Sequence, residues 1–195
     1  MTFDIYVRKN LRKMSDEKFK GKYRIPTARA KWYCYNGGCY FITICTMNRE
    51  QYLGEIFDGK MHLSDIGRFL NEQILTTPQK RTDMNLEIPV YVIMPNHLHL
   101  IVSIGRNVYN STALQPAKFE PQTKNLASVI RGIKSAVSSY AQKNNILFAW
   151  QTRYHDHIIR DAEEIEKITE YIENNVINWR EDCFYFSPVK TTPQY

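Results

Sequence analysis

The sequence predicts an α+β fold in which strands and amphipathic helices alternate. Three observations support this: runs of β-branched and aromatic residues, stretches with apolar residues at helical spacing, and turn residues between them. The predicted elements are a strand at 39–46, a helix at 64–75, strands at 86–93 and 97–104, a helix at 126–142, a strand at 150–160 and a helix at 161–178. The first six match a ferredoxin-like arrangement, an antiparallel sheet with two helices on one face. The other face is left open for a site.

The first predicted strand reads CYFITICT and is rich in β-branched and aromatic residues. Residues 48–60 are predicted to be a connection. Ser64 is a suitable N-cap for the helix that follows, and Thr76-Thr-Pro78 is expected to stop it. Its apolar stripe consists of Ile66, Phe69, Leu70 and Ile74.

The centre of the sequence is a pair of strands joined by Met94-Pro95-Asn96, since proline disfavours a continuing strand and Pro-Asn favours a tight turn. Side chains alternate along a strand, so His97 and His99 should share one face, with Leu98 and its alternate neighbours on the other. Imidazole is the commonest transition-metal ligand, so the pair is a candidate metal or catalytic site. Two polar residues on a half-exposed strand are the alternative.

Residues 105–123 have no clear periodicity, and a loop of this length indicates a functional or disordered segment. The helix at 126–142 has an apolar stripe from Leu126 to Tyr140. Arg131 and Lys134 lie off this stripe, where they could meet phosphate or simply water. The next strand, 150–160, carries His155 and His157, again two residues apart.

Asp161 is the predicted N-cap of the last helix, with Glu164 completing a capping box. Tyr171 and Asn175 are four residues apart and should lie one above the other on its flank. A phenol beside a metal can act as a nucleophile in phosphoryl transfer, although an amphipathic boundary residue is the ordinary interpretation. The predicted buried stripe consists of Ile165, Ile168, Ile172, Val176 and Trp179.

Length and composition favour one domain. The chain has 195 residues, 43% hydrophobic and 24% charged, values typical of globular proteins. We expect a basic arm and loop at 1–38, a catalytic domain at 39–180 and a tail at 181–195. The first residues are not expected to be a signal peptide, and no apolar run approaches the roughly 20 residues of a membrane span. The four cysteines lack Cys-x-x-Cys spacing. A cytoplasmic protein with reduced thiols is therefore expected.

The positive charge is concentrated in the N-terminal arm. Residues 1–31 contain ten Lys or Arg against three Asp or Glu, so this segment has a charge of +7. The remaining residues have a charge of −1, which gives the chain its net charge of +6. Aromatic residues such as Tyr23 and Trp32 lie in or just after the arm, and rings among cations can stack on unpaired bases. Nucleic-acid contact is therefore predicted, with a solvated tail as the alternative.

Several motifs together resemble those of single-tyrosine transposases with a His-hydrophobic-His signature, in particular the REP-associated tyrosine transposases. They are CYFITICTMNR (39–49), PNHLHLI (95–101), WQTRYHDHIIRD (150–161) and YIENN (171–175), in the expected order. The similarity extends from about Arg24 to Trp179. It implies a ferredoxin-like core and an enzyme that cuts and rejoins single-stranded DNA, often at a hairpin.

The resemblance also implies roles for individual residues. His97, His99 and Asn175 would bind a divalent ion, Mg²⁺ or Mn²⁺, and Tyr171 would attack a backbone phosphorus to form a 5′-phosphotyrosine. Some relatives are dimers, so a homodimer is possible. The residues expected to contact DNA are Lys22, Arg24, Arg29, Arg131, Lys134 and Arg153.

Two alternatives remain open from the sequence. In a zinc hydrolase, His155 and His157 would join His97 and His99 around the metal, and Tyr171 would have no role. A non-catalytic protein that binds DNA hairpins is the second alternative, and the intact His97, His99 and Tyr171 argue against it.

Overall fold

One antiparallel sheet positions the rest of the fold. The computed structural model describes residues 37–110 and 123–185, and within them five strands form this sheet. The strands are β1 (Gly38–Cys45), β4 (Leu86–Glu87), β5 (Tyr91–Met94), β6 (His97–Ile104) and β7 (His155–Ile159). Their order is β4-β6-β1-β7, with β5 also paired to β6. The two longest strands, β1 and β6, lie at its centre.

The register of β1 against β6 gives the sheet two different faces. Thr43 pairs with His99 and Cys45 with His97, so these four side chains share one face, which we call the histidine face. Leu98 and the other alternate residues of β6 point to the opposite face and are fully buried there. The predicted alternation of β6 is therefore confirmed, with its bounds at His97 and Ile104.

Three α-helices accompany the sheet in the described residues: α1 (Asp65–Lys80), α2 (Leu126–Lys143) and α3 (Ala162–Asn174). Helices α1 and α2 pack against each other, and the stacked rings of Phe69 and Tyr140, 4.1 Å apart, mark their contact. Ser64 caps α1 as predicted, since its side chain accepts a hydrogen bond from Gly67 N–H.

Helix α1 does not stop at Thr76-Thr-Pro78, so that prediction is wrong. The helix includes Pro78 and ends at Lys80. Both threonine hydroxyls donate to carbonyl groups four residues earlier in the helix. Pro78 removes one backbone donor but fits a helical φ, so the last turn still forms.

The predicted connection at 48–60 contains a β-hairpin instead. Strands β2 (Gly54–Phe57) and β3 (Lys60–Leu63) form a separate two-stranded sheet. Asp58 and Gly59 both have positive φ, 51° and 68°, as a tight two-residue hairpin turn requires. The Asp-Gly pair was the signal in the sequence for this turn.

Two predicted strands are shorter in the structure. The strand expected at 86–93 is divided into β4 and β5, because Pro89 lies between them and proline cannot donate to a ladder. The strand expected at 150–160 is reduced to β7, and Trp150 forms only an isolated bridge with Thr46.

Helix α3 begins as predicted but differs in detail. The Asp161 side chain accepts from Glu164 N–H, which confirms the cap. The Glu164 carboxylate accepts from Arg160 N–H, one residue before the N-cap expected in a capping box. Ile165 is 38% exposed, so its predicted burial is wrong, whereas Ile168 and Ile172 are buried. In the part of the chain that the structure describes, no helix is long and apolar enough to cross a membrane.

Candidate active site

His97 and His99 lie side by side on the histidine face, with ring centroids 4.5 Å apart. Both side chains are fully buried. Burial lowers the pKa of His99 to about 3. It also lowers the pKa of His97 well below its ordinary value, helped by neighbouring His99 and Arg49. Both imidazoles are therefore neutral at pH 7, the form that binds metal ions.

Asn96 determines which nitrogen of His97 carries the proton. Its amide nitrogen donates to the carbonyl oxygens of Phe184, at 2.8 Å, and Arg49, at 3.2 Å. Its Oδ1 can then only accept, so His97 Nδ1, 2.9 Å away, is the donor. His97 Nε2 consequently presents a lone pair, and this buried atom has no hydrogen-bond partner among the described residues.

His99 is held between Thr43 and Tyr171. The Thr43 hydroxyl lies 2.8 Å from His99 Nδ1, and the Tyr171 hydroxyl lies 3.3 Å from His99 Nε2. The Phe41 ring stacks on the His99 ring, with the ring centroids 5.2 Å apart, and makes a T-shaped contact with the Tyr171 ring, with the centroids 6.1 Å apart. The candidate nucleophile and the candidate ligand predicted from the sequence are therefore in direct contact.

Asn175, the predicted third ligand, follows α3 as its C-cap. The residue is 3% exposed, and its Oδ1 is buried without a hydrogen-bond partner among the described residues. An amide oxygen in this condition is costly unless something fills its coordination. A bound cation would satisfy it.

Asp182 is a candidate site residue that the sequence analysis placed in the tail. It follows the 3-10 turn Trp179–Glu181, and its Oδ2 lies 3.9 Å from His97 Nε2. Its other oxygen accepts from Phe184 N–H at 2.7 Å. Phe184 is 1% exposed and its ring lies 4.4 Å from that of His97. Residues 182–184 are thus part of the packed domain and not of a loose tail.

Arg49 holds residues 182–184 against the candidate site. Its guanidinium donates to the Cys183 carbonyl oxygen at 2.9 Å and lies 5.1 Å from the centre of the Phe184 ring. A guanidinium over an aromatic face is attractive. Arg49 and Asn96 therefore both hold the backbone that carries Asp182.

His97, His99 and Asp182 form a group that could bind a metal ion. One ligand atom from each lies within 4.8 Å of the others. Two neutral imidazoles and one carboxylate suit a divalent transition metal or a similar borderline ion. The lone pair of His97 Nε2 and the oxygen of Asn175 are the buried atoms such an ion would satisfy. The donor set therefore fits a metal.

The residues predicted to contact DNA differ in how exposed their side chains are. Arg131 on α2 and Arg153 before β7 are exposed. Lys134 is half-buried and its ammonium donates to the Gln151 carbonyl oxygen at 2.6 Å, so it is less available to phosphate than expected. Burial also lowers its pKa. Lys22, Arg24 and Arg29 lie outside the described residues, as does most of the predicted arm.

His155 and His157 do not join the candidate metal site. The group of possible ligands in residues 37–110 and 123–185 contains neither. His157 Nε2 instead lies 2.6 Å from the Glu164 carboxylate. The alternative of a four-histidine zinc site therefore has no support in the geometry.

Two proteins of Haemophilus influenzae are similar to this chain in sequence, although no protein-family model matches it. An uncharacterized protein of that species is 40% identical over 171 residues, covering 80% of this chain and 91% of that protein. A putative REP-associated tyrosine transposase of the same species is 26% identical over 155 residues, covering 79% and 72%.

The structure of a REP-associated tyrosine transposase bound to a REP hairpin matches with a TM-score of 0.54. The sequences are 21% identical, and the match covers 80% of this chain and 74% of that one. The described residues thus have the fold of a transposase.

This chain is therefore similar to the REP-associated tyrosine transposases, in sequence to a putative one and in fold to a solved one. The resemblance predicted from its motifs is confirmed.

Proposed function

We propose that this protein cuts and rejoins single-stranded DNA as a metal-dependent, single-tyrosine transposase. The observation that carries the proposal is the 3.3 Å contact between the Tyr171 hydroxyl and His99 Nε2, beside a buried group of possible metal ligands. Sequence similarity to a putative REP-associated tyrosine transposase supports it, and the similar structure bound to a REP hairpin suggests a hairpin as the DNA partner.

We assign the sheet to a ferredoxin-like core. With the hairpin β2–β3 and the two-residue strand β4 set aside, β1, α1, β5, β6, α2 and β7 follow one another in the β-α-β-β-α-β order of that fold. Helix α3 then adds Tyr171 to the histidine face.

His97, His99 and Asp182 would hold the divalent ion, and Asn175 is the predicted further ligand. Mg²⁺ or Mn²⁺ in this position would polarise the scissile phosphate and offset the charge that develops on it. Asp182 supplies the single carboxylate of the set. The neutral imidazoles are held in place from behind by Asn96 and Thr43, and such supporting hydrogen bonds are needed for metal affinity.

Tyr171 is the proposed nucleophile. Its phenolic oxygen bonds to the phosphorus while the bond from phosphorus to the 3′ oxygen breaks, which gives a 5′-phosphotyrosine and a free 3′-OH. The phenolic proton ends on the departing 3′ oxygen, directly or through water. Attack by the 3′ oxygen of another strand end reverses these steps and rejoins DNA. Phe41 orients the tyrosine through a T-shaped contact between the two rings.

The basic arm, Arg131 and Arg153 are proposed to contact the phosphate backbone. The charge of +7 on residues 1–31 is the main support for this assignment. Lys134 joins α2 to the loop before β7 through the Gln151 carbonyl oxygen, so its proposed contribution to DNA binding is smaller.

A cleavage assay with metal control tests the proposal. Wild-type protein stripped with EDTA should not cut a hairpin oligonucleotide from repeats flanking its own gene, and Mn²⁺ should restore cutting. His99→Ala should bind the hairpin but not cut it. His62→Ala, on the exposed hairpin strand β3, is the matched control and should cut normally. Full-rate cutting by protein verified to be metal-free would disprove the mechanism.

A further inference from the structure

Helix α3 presents one row of side chains to the histidine face. Glu164, Ile168, Tyr171 and Asn175 follow one another at intervals of four, three and four residues, so they lie along one side of the helix. Ile168 is fully buried in the middle of this row, and Asn175 is buried at its end. The position of Tyr171 therefore depends on how the whole row is seated on the sheet.

Glu164 connects the start of this row to strand β7. One carboxylate oxygen lies 2.6 Å from His157 Nε2, and the other accepts from Arg160 N–H at 2.9 Å. A carboxylate only accepts, so the His157 nitrogen must be the donor. Burial raises the pKa of Glu164, but the hydrogen bonds from Arg160 and His157 together lower it below its ordinary value. The contact is thus a charge-assisted hydrogen bond between strand and helix.

The pairing of strands β7 and β1 also connects His157 to Tyr171. In the register of β7 against β1, His157 lies opposite Phe41. Phe41 in turn stacks on His99 and makes a T-shaped contact with the Tyr171 ring. The contact between His157 and Glu164 and the contact between Tyr171 and His99 therefore lie on the same face of the sheet, two helical turns apart along α3.

We infer that His157 is a positioning residue for Tyr171, acting through Glu164 to fix helix α3 on the sheet. The inference rests on the proposed function, because it gives the role of Tyr171 its geometric support. It also assigns a role to one histidine of the second His-x-His pair, which lies outside the candidate metal group of the described residues. His157 does not touch the reacting atoms in this account.

Loss of the contact between His157 and Glu164 should lower the rate of the reaction of Tyr171 and leave the free energy of unfolding nearly unchanged. The side chains of His157 and Glu164 are 31% and 28% exposed, and partly exposed ion pairs contribute little to the free energy of unfolding. A misplacement of about 1 Å, in contrast, can reduce the rate of a positioned reaction by as much as about a hundredfold.

Two substitutions of His157 and one control form the test. His157→Ala removes the donor, whereas His157→Gln places an amide N–H near the position of Nε2. Lys167→Ala breaks the exposed ion pair with Glu163 on the same helix, which does not reach the sheet. Single-turnover formation of the covalent protein–DNA adduct is measured with Mn²⁺ over a range of hairpin oligonucleotide concentrations, together with Mn²⁺ affinity and the thermal midpoint.

His157→Ala should lower the adduct rate at saturating oligonucleotide by roughly 10- to 100-fold, with half-saturating concentration, Mn²⁺ affinity and thermal midpoint close to wild type. His157→Gln should recover most of the rate, and Lys167→Ala should resemble wild type. An unchanged rate in His157→Ala, a change only in half-saturating concentration, or no recovery in His157→Gln would each overturn the inference.

Hydrogen exchange separates failure of the inference from failure of the proposed function. If wild type forms no adduct, the proposed function is wrong, and exchange at 162–171 still decides the role of His157. Faster exchange in His157→Ala, restored by His157→Gln, supports the positioning of α3, whereas unchanged exchange overturns it.

Discussion

Replacing Asn96 with alanine should weaken both the fold and the metal site. Asn96 is fully buried and makes hydrogen bonds to His97 and to the carbonyl oxygens of Arg49 and Phe184. At about 1 kcal/mol for each hydrogen bond, the destabilisation amounts to about 3 kcal/mol, and more if the buried partners stay unsatisfied. For a chain of this size that corresponds to a fall in thermal midpoint of roughly 6–12 °C.

The same substitution should also reduce metal affinity. Without the Asn96 oxygen, His97 is no longer held with its proton on Nδ1 and its lone pair on Nε2. Removal of such a supporting group typically costs about 10- to 100-fold in affinity. Mn²⁺ binding by calorimetry and thermal unfolding with and without Mn²⁺ measure the two effects.

Asn71→Ala is the matched control for this prediction. Asn71, on α1, accepts one hydrogen bond from the Tyr91 hydroxyl, so its removal should cost about 1 kcal/mol and leave Mn²⁺ binding unchanged. An Asn96→Ala protein with wild-type Mn²⁺ affinity would refute the assignment of Asn96 as the group that orients His97.

Three further predictions concern the ligands, pH and the arm. Asp182→Asn should weaken Mn²⁺ binding by about tenfold or more, because it removes the only charged ligand of the proposed set. Asn175→Ala should weaken Mn²⁺ binding less. A larger loss of Mn²⁺ affinity in Asn175→Ala than in Asp182→Asn, measured by calorimetry, would contradict this. The folded pKa values of His97 and His99 are lowered, so the unfolded chain takes up protons first as pH falls below about 6.5. Metal-free protein should therefore lose up to about 1.4 kcal/mol of stability per pH unit for each histidine as pH falls toward about 5. Urea unfolding at several pH values measures this loss, which should be smaller in His99→Gln. Deleting residues 1–20 removes six Lys or Arg and should lower DNA affinity. The slope of log affinity against log salt concentration should fall by about 0.7 for each phosphate that the arm no longer neutralises. An unchanged slope would mean that the arm is only a solvated tail.

The parts of the fold that the sequence predicted are those fixed by local patterns. Strand β6 alternates strictly between the two faces, so its bounds and the shared face of His97 and His99 could be read directly. The cap at Asp161 likewise depends only on residues within one turn. The hairpin β2–β3 also had a local signal in Asp58-Gly59, and reading 48–60 as a plain connection overlooked it.

Other features depend on contacts between distant segments. Asp182 reaches His97 only because the chain turns back after α3, and no spacing in the sequence relates the two residues. His155 and His157 have the same spacing as the first pair, but spacing cannot distinguish a central strand from an edge strand. The edge position of β7 gives His157 a carboxylate partner on α3 in place of a metal site.

The nucleophile is tested most directly by Tyr171→Phe. This substitution keeps the ring contact with Phe41 and removes only the hydroxyl near His99, so the thermal midpoint should change little. Tyr185→Phe, which alters a competing phenol packed against Trp179, is the control. On a denaturing gel with Mn²⁺ and labelled hairpin oligonucleotide, wild type and Tyr185→Phe should form a covalent protein–DNA band and Tyr171→Phe should form none. A band of wild-type intensity from Tyr171→Phe would contradict the assignment, and DNA cleavage by wild type without any trappable band would favour an activated water instead.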